Sequence, residues 1–223
     1  MKKIALDADG VLFKFMQTFD LAAEHILGRK VHVQQDEFQL DHYHLAKRVS
    51  TTDEKALEIL EYMQTSGLYA RLEAYEGVKE ALQTIKEAGY DIYIVTALPE
   101  KTREMRLENL KNELDFIPKD IFCVGMGESK AEILKKLKPD IFIDDRIEYL
   151  ASAPDIFHLA WVDQKESQHD KDSLIDVHVH SLAEWVEHHL PIVTKKLNTY
   201  YQENTPVQID LKMENVNRKY KIK

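Results

Sequence analysis

The stretch Lys2-Lys3-Ile4-Ala5-Leu6-Asp7-Ala8-Asp9-Gly10-Val11-Leu12 decides the fold. Lys2 to Leu6 is a short, mostly apolar run that suits a buried strand, and two aspartates and a glycine end it. Apolar residues at 15, 16, 19, 22, 23, 26 and 27 then recur at helical spacing up to Gly28. Further along, strands are expected at Asp91 to Val95, Ile121 to Val124, Asp140 to Ile143 and Ile156 to Val162. Helical patterns separate the first three of these: Glu100 to Leu114 and Lys130 to Leu137. Strand–helix alternation of this kind implies an α/β protein with a parallel sheet and right-handed crossovers. In such a sheet the loops at strand C-termini form the binding crevice, and Asp7 and Asp9 sit in one of them.

Composition narrows the function classes. The 223 residues carry 39 acidic and 30 basic side chains, a formal net charge of −9. An acidic surface repels a phosphate backbone, so a polymeric nucleic acid is not an expected partner. With 44% hydrophobic and 31% charged residues the chain reads as globular, and no apolar run is long enough to span a membrane. One cysteine, Cys123, fits a reducing compartment, and the apolar run behind Met1-Lys2-Lys3 is too short for a secretory segment. A cytoplasmic location is the expectation.

Two acid pairs stand out. Asp7 and Asp9 follow the first strand, and Asp144 and Asp145 follow the strand Asp140 to Ile143. Either pair alone reads equally as a solvated turn. Both together, each at the exit of a buried strand, would repel unless a cation sat between them, and oxygen ligands favour a hard ion such as Mg²⁺. A calcium loop is ruled out because Leu12 and Thr18 stand where it needs Gly and Glu. Thr96 ends the second strand, where its hydroxyl can serve a bound anion or merely cap a helix. Lys130 opens a helix, against the helix dipole unless something negative lies close; by itself it reads as a surface lysine.

The ordered set Asp7-x-Asp9-Gly10, Thr96, Lys130 and Asp144-Asp145 resembles the haloacid dehalogenase superfamily of aspartate-nucleophile phosphotransferases, over about residues 1 to 165. The resemblance implies a Rossmann-like parallel sheet flanked by helices, formed by residues 1–15 and 77–190, with a small helical cap, residues 16–76, inserted after the first strand. It gives Asp7 the role of nucleophile and Asp9 that of general acid/base. Ala8, Asp9, Thr96, Ala97 and Lys130 would bind phosphate. Asp7, Asp9 and Asp145, supported by Asp144, would hold Mg²⁺. Within the superfamily, Asp7 to Leu12 followed by Phe15, with Ile143-Asp144-Asp145-Arg146, looks most like the 5′(3′)-deoxyribonucleotidases. There Phe15 matches an aromatic that contacts the base, although it also falls on the apolar face of its own helix. The implied substrate is a nucleoside monophosphate. The alternatives are a sugar phosphate or other small phosphoester, and a non-enzymatic binding protein on the same fold.

Departures from that pattern are Ala97-Leu98-Pro99 after Thr96 and Tyr75-Glu76-Gly77 before the helix that returns to the core. Capping boxes are expected at Thr51/Glu54, Ser129/Glu132 and Ser181/Glu184, the last opening a helix to Leu190. Residues 191–223 read as an extension: Val207, Ile209, Leu211 and Met213 alternate as in an edge strand or a contact between subunits. The histidine pairs 42/44, 178/180 and 188/189 lack a third ligand at zinc-site spacing, and Gly125 to Lys130 lacks the ending of a phosphate loop.

Overall fold

Six strands form one sheet in the computed structural model, which describes residues 1–31, 44–164 and 175–204. They are β1 (Lys2–Leu6), β2 (Tyr90–Thr96), β3 (Asp120–Cys123), β4 (Ile141–Asp144), β5 (His158–Val162) and β6 (Val177–Val179). Every neighbour pairs in parallel, in the order β3-β2-β1-β4-β5-β6. The chain therefore works outward from β1 to β3 and then crosses back to β4. The carboxyl ends of β1 and β4 flank the point of reversal, where Rossmann-like sheets open a crevice.

Alternation along each strand builds the two faces. Ile4, Leu6, Ile92, Ile94, Ile141 and Ile143 point into one apolar cluster, while Ala5, Val95, Phe142 and Leu159 point into another. Ile4, Ala5 and Leu6 are all wholly buried, as a central parallel strand covered on both faces must be. The helices are α1 (Phe15–Leu27), α2 (Leu45–Arg48), α3 (Asp53–Thr65), α4 (Val78–Glu87), α5 (Arg103–Leu114), α6 (Ala131–Leu137), α7 (Ile147–Ala151), α8 (Leu182–His188) and α9 (Leu190–Asn204). The first cluster takes in α4 through Val78, Ala81, Leu82 and Ile85, and α8 through Trp185. The second takes in α6 through Leu134 and α7 through Leu150.

The inserted segment leaves and re-enters the core through two strands of chain that run side by side. Phe13 pairs antiparallel with Ala74, Lys14 N–H donates to the Glu73 carbonyl at 2.9 Å, and Tyr75 N–H donates to the Leu12 carbonyl at 3.0 Å. Beyond this stem lie α1, α2, α3 and a 3₁₀ turn at Leu68–Ala70. Gly28 ends α1 in the left-handed region (φ 64°), returning its N–H to the Glu24 carbonyl. Arg48 on α2 holds Asp20 on α1 at 2.5 Å, so part of the polar stretch after residue 29 is helical and fastened down.

The local expectations need three corrections. Thr52, not Thr51, caps α3 and accepts from Lys55 N–H. Ser129 accepts from Ala131 N–H rather than joining Glu132 in a box. The last helix stops at His188, because Pro191 has no N–H to continue the ladder, and the chain restarts as α9. Residues 191–204 are thus helical, with Val193 and Leu197 buried against the first cluster. The Ser181 cap of α8 is present, accepting from Glu184 N–H at 3.0 Å. The alternating residues 207 to 213 and His42 lie outside the described residues. Among the described residues no helix is long and apolar enough to cross a membrane.

A buried histidine sets one expected pH dependence. Trp185 Nε1 donates to His158 Nε2 at 3.2 Å, which needs that nitrogen unprotonated, and Nδ1 lies 3.5 Å from the Asp176 carboxylate. Burial pulls the His158 pKa from 6.5 down to about 4; Asp176 pulls the other way, and His189 and Lys196 add to the lowering. A depressed folded-state pKa stabilises above the unfolded value and is lost as pH falls towards about 4. The swing is about 3 kcal/mol at 1.36 kcal/mol per pKa unit. Urea unfolding from pH 7 to 4 should show His158→Gln losing less stability on acidification than the unsubstituted chain. Parallel curves would exclude His158 as the source.

Candidate active site

Three strand ends and the start of one helix supply the site. Asp7 ends β1, 4% exposed, with its N–H on the Ile143 carbonyl at 2.9 Å. Asp144 closes β4 and Lys130 caps α6; both are wholly buried. Lys130 Nζ donates to Asp7 Oδ1 at 2.5 Å and to Asp144 Oδ2 at 2.7 Å, above the Tyr149 ring. Lys130 is therefore no surface lysine. The negative partner that the helix dipole requires is a pair of carboxylates, supplied by the chain itself. Burial opposes its charge, but Asp144 and Asp7 outweigh burial and raise its pKa, so it stays an ammonium. Burial pushes the Asp144 carboxyl up, with Asp7 adding and Lys130 opposing; its other oxygen accepts Arg146 N–H at 2.9 Å.

Asp145 completes the acid cluster. One ligand oxygen each from Asp7, Asp144 and Asp145 lie within 4.8 Å of one another. Gly10 makes that approach feasible: at φ +91°, a Cβ there would stand 2.0 Å from Asp145 Oδ2. Two further side chains steady the loops: Trp161 on β5 donates through Nε1 to the Asp145 carbonyl at 3.0 Å, and Gln164 just beyond β5 donates through Nε2 to the Gly10 carbonyl at 3.3 Å. An all-oxygen donor set gathered around a single ammonium fits a hard divalent cation.

Asp9 is placed differently. Its carboxylate turns to Arg106, whose Nη2 donates to Oδ1 at 2.5 Å. Burial raises the Asp9 pKa, Asp7 adds to the rise, and Arg106 and Lys130 work against it. The Asp9 carboxylate is not part of the group of three acids that could share one cation. Thr96 is no helix cap. It ends β2, wholly buried, and its hydroxyl has no partner among the described residues.

Asp7, Asp9, Thr96, Ala97, Lys130 and Asp145 border a cavity of about 290 Å³. Apolar and aromatic side chains line it as well: Phe15, Met16, Leu45 and Tyr75 from the inserted segment and its stem, and Leu98 and Met126 from the core. Phe15 serves both readings of it: the ring lies 6.2 Å from Phe19 and from Tyr69 and also borders the cavity. Ala8 is buried in the loop itself, its carbonyl accepting Leu12 and Phe13 N–H. His178 stacks on Trp161 at 4.3 Å and belongs to no metal-capable group among the described residues.

Sequence reasoning missed Arg106 and Trp161. The signal for Arg106 is its place in line with Leu110 and Leu114 on α5, all three buried, since a cation on a core-facing stripe requires a buried anion. Trp161 sits in a strand whose apolar run gives no hint that one indole N–H reaches a loop.

Comparison with known proteins agrees with this geometry. Residues 1–153 match the family model described as haloacid dehalogenase-like hydrolase. A protein of Oceanobacillus iheyensis, named provisionally as a nucleotidase, is 26% identical over 153 residues, covering 66% of this chain and 78% of its own. Among solved structures, a HAD family hydrolase from Deinococcus radiodurans with bound phosphate and sodium superposes with a TM-score of 0.58 at 18% identity, covering 86% of this chain and 96% of that one. CbbY from Rhodobacter sphaeroides in complex with phosphate gives a TM-score of 0.58 at 15% identity, covering 83% and 96%. The order of the sheet, the acid cluster at its point of reversal and the matched residues lead to one conclusion: the chain belongs to the haloacid dehalogenase-like hydrolases.

Proposed function

We propose that this hydrolase is a Mg²⁺-dependent phosphomonoesterase that works through an aspartyl-phosphate on Asp7, with (deoxy)nucleoside monophosphates as substrates. The observation that carries the reading is the buried Thr96 hydroxyl, which has no partner among the described residues and belongs to a residue bordering the same cavity as Asp7 and Lys130. A hydroxyl without a partner is costly unless a ligand oxygen meets it.

Asp7 and Asp145, the Asp9 carbonyl and Asp144 behind them would hold Mg²⁺, which when bound screens the approach of a carboxylate to a phosphate. Lys130 grips Asp7 by Oδ1, fixing the side chain so that its second oxygen attacks phosphorus. As the P–O ester bond breaks, protonated Asp9 gives its proton to the leaving alkoxide. Asp9 then takes a proton from the water that attacks the aspartyl-phosphate, releasing phosphate and restoring Asp7. Thr96, Ala97, Lys130 and the Ala8–Asp9 loop bind the remaining phosphate oxygens.

The apolar lining that includes Phe15, and the relative named as a nucleotidase, favour a base-bearing ester over a sugar phosphate. Initial rates on deoxynucleoside monophosphates and sugar phosphates, with Mg²⁺ and with a chelator, test this. Mg²⁺-dependent nucleotide turnover is expected. Selective turnover of sugar phosphates would remove the nucleotidase reading, and no turnover of any ester would leave a binding protein.

A further inference from the structure

Resting on the reading of Asp9 as the proton donor, we propose that Arg106 is the positioning residue for that acid and that it ties the acid to the stem of the inserted segment. Arg106 is wholly buried on α5 and reaches three things at once. One arm of its guanidinium holds Asp9 Oδ1 at 2.5 Å, and the other donates to Asn109 Oδ1 at 3.3 Å. Its plane lies over the Phe13 ring, 4.9 Å from the centroid. Asn109 passes the connection on, donating through Nδ2 to the Leu72 carbonyl at 2.9 Å. Phe13 is on the outgoing strand of the stem and Leu72 just precedes its return strand, so both connections meet on one side chain.

A structural role alone would not call for an arginine. Burying a guanidinium is costly, and an apolar residue of similar volume serves packing as well or better. Here the cost is higher still, because Arg106 Nε is buried and has no partner among the described residues. What only the forked cation provides is a fixed orientation of Asp9 and a rigid link from it to the stem. A movement of the inserted segment that shifts Phe13 or Leu72 is then felt at the acid.

The test compares two esters: an alkyl phosphate, whose poor leaving group needs the proton, and p-nitrophenyl phosphate, whose good leaving group does not. Asp9→Asn, Arg106→Met and Arg106→Lys are measured with the unsubstituted chain, and folding is checked by circular dichroism. Asp9→Asn should lose turnover of the alkyl ester far more than of the aryl ester. Arg106→Met should show the same split, roughly 10- to 100-fold in kcat on the alkyl ester with KM little changed and the aryl ester nearly spared. Arg106→Lys, with charge but no fork, should fall between. If Asp9→Asn shows no split, the reading of Asp9 as acid fails and takes this proposal with it. If Asp9→Asn shows it and a folded Arg106→Met keeps the unsubstituted ratio, only the Arg106 proposal falls. Should Arg106→Met not fold, the ratio for Arg106→Lys decides; if neither folds, the role is structural and the proposal is wrong.

Discussion

Replacing Asp7 with Asn should lower phosphoester turnover by roughly 10⁴-fold or more, the scale on which enzymes lose a covalent nucleophile. An amide oxygen does not attack phosphorus. Asp145 sits in the same cluster, but Asp7 is the acid that Lys130 orients from inside the site. The change is nearly isosteric, and Lys130 keeps Asp144 at 2.7 Å, so the fold should survive. Initial rates beside a circular dichroism spectrum check both halves. Near-normal activity in a folded Asp7→Asn chain would end the aspartyl-phosphate mechanism.

Lys130→Met should be the most destabilising single change in the site. Taking one partner from a buried ion pair leaves its charges uncompensated, at a cost of about 3–5 kcal/mol. In a chain of this size that lowers Tm by on the order of 10 °C. The pH dependence follows from sign. Without the ammonium, the burial that already raises the Asp144 carboxyl loses its main opponent, and only the Arg146 N–H still resists it. A carboxyl with a raised folded-state pKa binds more protons folded than unfolded, so stability falls as pH rises through that value. The variant should therefore close part of its deficit between pH 7 and pH 5, and added Mg²⁺ should close more at neutral pH. Thermal melts at the two pH values, with and without Mg²⁺, decide this. A variant as stable as the unsubstituted chain at pH 7 would mean that Lys130 does not neutralise the two acids.

Those two residues also show what sequence does and does not reveal. Asp7 announces itself, because an acid pair at the end of an apolar run marks a strand exit, and parallel sheets open their crevice there. The parallel sheet follows from the alternation of elements, whereas the strand order comes from the folded chain. Lys130 was ambiguous on its own: a lysine opening a helix looks the same whether it faces water or two carboxylates. Only the placement of β1 beside β4 brings Asp7 and Asp144 to it. Arg106 required the same long-range knowledge, since Asp9 and Arg106 are joined by folding and not by any spacing. Cap positions failed for a more local reason. Thr51 and Thr52 are chemically alike, and backbone angles choose between them, with Thr52 extended at ψ 161°. The break before α9 was readable in Pro191, and the helix beyond it was obscured by the alternating tail that follows.

The stem formed by Phe13 and Ala74 has a consequence for how this protein can vary. A stretch of chain whose two ends are clamped side by side costs the host little more when it lengthens, because loop-closure entropy grows only logarithmically. The sheet registers no change of length between those clamps. What lies beyond them can be grafted, trimmed or exchanged for a segment from another member of the family, with Asp7, Thr96, Lys130 and Asp145 undisturbed. Transplanting residues between the two clamps, with the main-chain carbonyl at Leu72 kept for Asn109, is thus a route to a new substrate preference on the same acid cluster.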